Sequence, residues 1–410
     1  LKIDLYFENN GVTSSVSKRQ PFLNAIPSKL VPKTVINPEA EPAEVYFGMF
    51  GGRFRASFTV NDKIPVNKKF YYPIIFSLSS LSDYVNKLSI QPEIIQLVID
   101  GMCKILIVCP YEGWSWNIYD NLIDPLVKRY NLNHSHFVIM TAKLNNHPKC
   151  KVVYYNNWEV TATGRNHLKD LELGKAAVLN TESRPYKFIC LNRRASWHRF
   201  GTVSKLWSYK HQGLLSFWQE GFIQDDINYL IEQKKQFFQN LPSLAKLWID
   251  NNIDESMPLR LSTKYDPFKI TNKVNPTDDQ YSDKFYESYL HIVTETTMID
   301  EGFFSEKIFK PAIYFQPFVL IGQYKGLEYL RKIGYKTFSA VIDESYDLEK
   351  DNEKRLIMAI DSAIEFIKKV DSNLMIQLWP ILEHNSKVFS NRANTITKNL
   401  VEDLKSALNI

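Results

Sequence analysis

Apolar and polar positions along the chain fall into two rounds of one pattern. After about a hundred residues of irregular opening and short strands, Lys104-Ile-Leu-Ile-Val-Cys109 forms the short apolar run typical of a buried parallel strand, and Pro110-Tyr-Glu-Gly113 breaks it. Between Tyr119 and Tyr130, Leu122, Ile123, Leu126 and Val127 share one helical face, and His136–Met140 and Lys151–Tyr155 read as two more strands. Strand, helix, strand, strand predicts an open α/β layer. A second round opens near Tyr186, with a strand at Lys187–Leu191, a polar loop at Asn192–Arg199 and a helix at Thr202–Lys210. A long amphipathic stretch, Asp225–Asn251, is expected to break at Pro242. The strand Tyr289–Val293, a helix starting near Ser305, the strand Phe318–Ile321 and helices at Glu353–Val370 and Asn391–Leu408 follow.

The predicted fold class is therefore α/β. A first α/β domain with an irregular N-terminal extension is expected over 1–180 and a second α/β domain over 181–370. Helices at 371–410 are expected to pack back on the first domain. Two stretches lack either periodicity. Lys18–Pro42 carries five prolines and reads as an extended surface connection. Asp254–Asp283, polar and proline-containing, reads as a loop or flap that orders over a bound ligand. No internal repeat of fixed period is visible.

Composition narrows the class without naming it. Of 410 residues, 44% are hydrophobic and 23% charged, and the net charge of +5 is too mild to imply a nucleic-acid partner by itself. No apolar run reaches the roughly 18 residues of a membrane span, and Leu1-Lys-Ile-Asp-Leu-Tyr6 lacks the basic-then-apolar pattern of a leader. Four cysteines without a Cys-x-x-Cys pair predict neither a disulfide scaffold nor a zinc site, so a reducing, cytoplasmic compartment is expected.

Three stretches carry candidate chemistry. In Glu301-Gly-Phe-Phe-Ser-Glu-Lys307, Ser305 suits an N-cap, which puts Glu306 and Lys307 beside unpaired amide donors in a first helical turn. Such a terminus attracts anions, Lys307 reinforces phosphate binding, and Glu306 can accept from ribose hydroxyls. Pro311 would lie inside that helix and should kink it or confine it to a short turn. The alternative is a well-capped surface helix. Cys190-Leu-Asn-Arg-Arg-Ala-Ser-Trp-His-Arg199 follows a buried strand, where α/β ligands sit, and offers Arg193, Arg194, His198 and Arg199 to phosphate oxygens, or else forms a solvated basic turn.

Across the predicted cleft, Pro110-Tyr-Glu-Gly-Trp-Ser-Trp116 places Glu112 after a strand with Trp114 and Trp116 beside it. Partial desolvation would lift a carboxylate toward general-base duty, and indoles stack on the apolar faces of sugars. Glu159 is the rival base, and a surface turn is the bland reading of both. Gly48-Met-Phe-Gly-Gly-Arg53 matches no phosphate-loop pattern and reads as a strand turn. His134 and His136 lack a carboxylate at metal spacing, no Asp-x-Asp occurs, and Asp225-Asp226 reads as dipole compensation at a helix start, so no metal is expected.

Glu306-Lys307, the apolar segment after it and Gln316-Pro-Phe-Val-Leu-Ile-Gly322 resemble the Ser/Thr-Glu-Lys…Pro-Val-Val-Leu-Gly segment of the α-1,3-fucosyltransferase family. Asn192-Arg193-Arg194 and Gly326–Phe338 are similar to glycosyltransferase-like proteins of phages and large viruses. The resemblance covers roughly residues 186–348. It implies a GT-B-like fold of two facing Rossmann-type domains, Glu306 on the donor ribose, and Lys307 with Arg193 or Arg194 on the diphosphate. It also implies metal-independent inversion without a further cofactor, with the host cytoplasm as the compartment of a viral or phage protein. Tyr314-Phe-Gln316 departs from the family's small residues at that point, so the donor's identity does not carry over. Three functions compete: a transferase acting on a glycan or saccharide, one acting on modified bases in DNA, and a non-catalytic nucleotide- or carbohydrate-binding protein.

Overall fold

The computed structural model describes residues 3–6, 58–61, 63–75, 88–109, 115–156, 158–160, 170–192, 195–217, 224–257, 259, 282–298 and 302–410. The strands are β1 (Ile3–Tyr6), β2 (Phe58–Asn61), β3 (Phe70–Ile75), β4 (Cys103–Cys109), β5 (Phe137–Thr141), β6 (Lys151–Tyr154), β7 (Tyr186–Asn192), β8 (Gly213–Phe217), β9 (Ser288–Thr294) and β10 (Phe318–Ile321). The helices are α1 (Pro92–Ile99), α2 (Trp116–Tyr130), α3 (Asp170–Leu179), α4 (Trp197–Leu206), α5 (Gln224–Asn240), α6 (Pro242–Asp250), α7 (Ser282–Tyr286), α8 (Lys310–Ile313), α9 (Gly326–Lys332), α10 (Asn352–Lys369) and α11 (Ser372–Leu408). Lys18–Pro42, Gly48–Arg53 and most of Asp254–Asp283 lie outside the described residues.

The chain divides into two units, each built on a parallel sheet. The first comprises Leu1–Gly164, Asn272–Pro276 and Arg392–Ile410, with a sheet in the order β2-β1-β3-β4-β5-β6. Its central strand β4 is buried on both faces, which is why it reads as a continuous apolar run. Ile105 and Ile107 pack with Ile94 and Val98 of α1 and with Leu122 and Leu126 of α2. Leu106 and Val108 face the other way, onto Ile396, Leu400, Leu404 and Leu408 of α11, four residues apart and hence one stripe of that helix.

The second unit, Arg165–Thr271 with Thr277–Asn391, carries the sheet β10-β9-β7-β8. The expected break in the long amphipathic stretch is present, with Pro242 opening α6 after the non-helical Leu241. Phe200, Phe217, Phe237 and Trp248 meet ring to ring beneath α4, α5 and α6. Gly201 permits that approach, since a Cβ there would stand 2.8 Å from a Leu241 methyl.

Three expectations are corrected. The unit boundary falls after Gly164, not at 180, because α3 belongs to the second unit. A Cβ on its Gly174 would lie 2.0 Å from the Phe315 ring, and the Ala177 carbonyl accepts from Arg184. The boundary expected at 370 falls at 391/392, within one helix that contributes to both units. The expected loop over 192–199 ends early, because α4 starts at Trp197 and buries Phe200 and Val203 along with its first turn. Among the described residues, no helix is long and apolar enough to cross a membrane.

Candidate functional site

Parallel strands collect functional groups at their carboxyl ends, and β7, β8 and β9 are tied together there by side chains. Asn192, the last residue of β7, donates from Nδ2 to the Ser216 carbonyl of β8 (3.2 Å) and accepts at Oδ1 from Thr294 Oγ1 of β9 (2.7 Å). The next residue, Glu295, is buried. Its Oε2 accepts from the Ser305 hydroxyl at 2.6 Å, the Ser305 amide at 3.3 Å and the Thr296 amide at 3.2 Å. Its Oε1 is buried without a hydrogen bond. Burial pushes the Glu295 carboxyl above the usual range, against the pull of the Lys307 charge and the Ser305 bond.

Ser305 takes the expected capping place. Its side chain accepts from the Lys307 amide, and the turn it opens is a 3₁₀ segment, Glu306–Phe309, running into the single-turn α8, where Pro311 sits in the first turn, a position that tolerates proline. Lys307 folds back over that turn, with Nζ 3.1 Å from Ser305 Oγ, 3.2 Å from Glu306 Oε1 and 3.4 Å from Thr296 Oγ1. Although burial opposes ionisation of Glu306, the Lys307 and Lys310 charges hold its carboxyl below the usual range. Gln323, just past β10, fixes the segment ahead of Ser305 by accepting from the Phe303 amide and donating to its carbonyl. One edge of the second unit thus gathers two carboxylates, a hydroxyl and an ammonium.

The other expected residues divide sharply. Arg193, Arg194, Glu112 and Trp114 lie outside the described residues. His198 and Arg199 are not open phosphate receptors but the buried first turn of α4. His198 Nε2 donates to the Glu295 carbonyl at 3.0 Å, and burial pushes the imidazole down to about 3, so the ring is neutral. The Arg199 guanidinium donates to the carbonyls of Thr294 and Glu295 at 3.2 and 3.1 Å. Both bind α4 to the end of β9, because carbonyls at a strand end need donors wherever water is excluded.

Glu159 is not a rim carboxylate. It is fully buried, takes two bonds from Arg392 of α11 (2.6 and 3.1 Å) and one from the Tyr154 hydroxyl (3.2 Å). Trp116 packs as a wall rather than standing as an open sugar platform, with Lys143 Nζ 4.6 Å over its ring and the His147 ring 5.0 Å from it. No carboxylate accompanies His134 at metal-ligand spacing in the sequence, yet the fold brings Asp124 Oδ1 to 2.7 Å from its Nε2. All four cysteines are free and buried, and burial pushes the Cys150 and Cys190 thiols up to about 12, which leaves them protonated at neutral pH.

Sequence reasoning gave no site role to Glu295, Asn192, Gln323 or Arg355. The first two had a visible signal, a polar residue closing or following a buried apolar run. Arg355 had none; from the first turn of α10 it donates to the carbonyls of Gly322, Glu349, Lys350 and Met298, and so braces the loops around the site. No known protein family, curated protein or solved structure matches the chain.

Proposed function

We propose that this chain is a glycosyltransferase of GT-B-like architecture, moving a sugar from a nucleoside-diphosphate donor to an acceptor hydroxyl of a glycan or saccharide. What supports the reading is the carboxyl edge of the four-stranded parallel sheet. There the buried Glu295 keeps one carboxylate oxygen without a hydrogen bond, beside the Ser305–Lys307 turn. Lys307, about a quarter exposed, would carry the charge of the leaving diphosphate, and Glu306 would accept from the ribose hydroxyls. In an inverting displacement the acceptor oxygen bonds the anomeric carbon as the bond to the diphosphate breaks. The electron pair leaves on phosphate, and the acceptor proton passes to a base. This chemistry needs no obligatory metal when cationic side chains neutralise the leaving group.

With Glu159 fully engaged by Arg392 and Tyr154, the base assignment rests with Glu112. Glu112→Gln is expected to lower turnover by roughly 10²–10⁴ with donor affinity retained. The primary test is a thermal-shift series over UDP, GDP, CMP and dTDP sugars, in which a bound donor raises Tm by mass action. Lys307→Ala should weaken the responding nucleotide by roughly 1.5–3 kcal/mol, the scale of a hydrogen bond to a charged group. No shift with any nucleotide, or equal affinity in Lys307→Ala, would remove the donor site from this edge.

A further inference from the structure

A second cluster lies in the first unit, along the exposed side of α2. Asp120 and Asp124 are one helical turn apart, so their carboxylates leave the same face. His134, in the 3₁₀ turn ahead of β5, brings its Nε2 to 2.7 Å from Asp124 Oδ1. Each of the three offers one donor atom, and these atoms all lie within 4.8 Å of one another.

Two neighbours from the loop after β5 mark the same point. Lys149 places its ammonium 3.3 Å from Asp120 and 3.5 Å from Asp124, so a cation already sits between the carboxylates. It does so on a flexible stem 44% exposed, which can swing into water. His147, only 5% exposed, points its Nε2 at Asp120 Oδ1 from 3.4 Å, and that buried nitrogen makes no hydrogen bond. Its Nδ1 accepts the amides of Lys149 and Cys150, at 3.1 and 3.0 Å, so the proton of the neutral ring resides on Nε2 and faces the carboxylate.

We propose that Asp120, Asp124 and His134 form a binding site for a first-row divalent transition-metal ion of the Zn²⁺ type. The ion takes the position of the Lys149 ammonium, and the His147 Nε2–H faces Asp120 Oδ1 from its buried side at 3.4 Å. Two carboxylate oxygens and one imidazole nitrogen suit Zn²⁺ or Co²⁺ and leave a fourth position to water, whereas Mg²⁺ prefers an all-oxygen, largely hydrated shell. His134 binds through Nε2, and the proton that Nε2 shares with Asp124 moves to Nδ1 of the same ring. Bound there, the ion ties α2 to the turn ahead of β5, and it stabilises the unit by binding only its native state. The site is independent of the donor edge in the second unit.

The test is calorimetric titration of the full chain with Zn²⁺, and visible absorption with Co²⁺ as the spectroscopic probe. One equivalent should bind, Co²⁺ should show ligand-field bands, and Mg²⁺ should not compete. Asp124→Asn and His134→Ala should each weaken binding roughly ten-fold or more, and Lys149→Gln should bind more tightly because the competing ammonium is gone. No Zn²⁺ binding by the parent, or unchanged binding in both ligand variants, overturns the site. If circular dichroism shows that a ligand variant does not fold, Lys149→Gln decides: tighter binding upholds the site, and equal or weaker binding overturns it.

Discussion

Glu159 and Glu295 are both buried carboxylates placed just past a parallel strand, one in each unit, and the chain treats them in opposite ways. Glu159 meets a guanidinium on both oxygens and a phenol besides, so its negative charge is compensated where it stands. Glu295 receives a hydroxyl and two amides on one oxygen and nothing on the other, and its carboxyl is pushed up by burial. Burial alone therefore does not fix how a carboxylate is accommodated. The partner set decides: Glu159 has its charge met by a guanidinium on both oxygens, while Glu295 retains on Oε1 the cost of desolvation as an unfilled interaction.

The comparison breaks most readily at Arg392. Arg392→Ala leaves Glu159 buried and uncompensated, so a loss of about 3–5 kcal/mol in unfolding free energy is expected, measured by denaturant titration. The double change Glu159→Leu with Arg392→Met should recover most of it, because neither charge then remains to be desolvated. A loss below about 1 kcal/mol in Arg392→Ala would mean that Glu159 is as incompletely paired as Glu295.

A pH-dependent effect should appear on the acid side of the second unit. His198 and His291 are buried and pushed down to about 3 by that burial, so the folded chain resists protons that the unfolded chain accepts near its ordinary value. Their contribution is present above about pH 6.5 and is lost as pH falls toward 3, with a slope of up to about 1.4 kcal/mol per pH unit for each ring. Replacing both by Gln should flatten stability between pH 6 and 4. An unchanged acid limb would show that these rings take up protons in the folded state.

The smallest stability effect is expected at Glu295, and it sharpens the contrast because its sign is opposite. A carboxyl whose folded value is raised contributes fully below the unfolded value and loses that contribution as pH rises through the folded one. Glu295→Gln should therefore gain Tm relative to the parent as pH increases from 4 to 7, while lowering turnover if the edge is the donor site. A Tm difference that is flat across this range would show that burial does not raise the Glu295 carboxyl in the folded chain.

Two expectations made from the chain alone show where local signals suffice. The strand at Phe318–Ile321 is recovered residue for residue, and Ser305 caps a short turn as expected, although Pro311 lies at the start of α8 rather than inside a helix. Both rest on interactions within a few residues: an apolar run, and a hydroxyl reaching the amide two residues on. The same local logic misread Asn192–Arg199, where polar side chains suggested a solvated loop, yet the carbonyls closing β9 draw His198 and Arg199 into a buried helical turn.

The alternation of apolar runs with helical periodicity thus determined by itself that the chain is α/β with parallel strands, because strand and helix each write their own period into neighbouring residues. Only the tertiary structure decided which acids are paired. Glu159 meets Arg392 across 233 positions, Thr294 meets Asn192 across 102, and His134 closes on a face of α2 that no sequence window displays. Pair energies of that kind depend on distance in space and on exclusion of water, neither of which composition or spacing encodes.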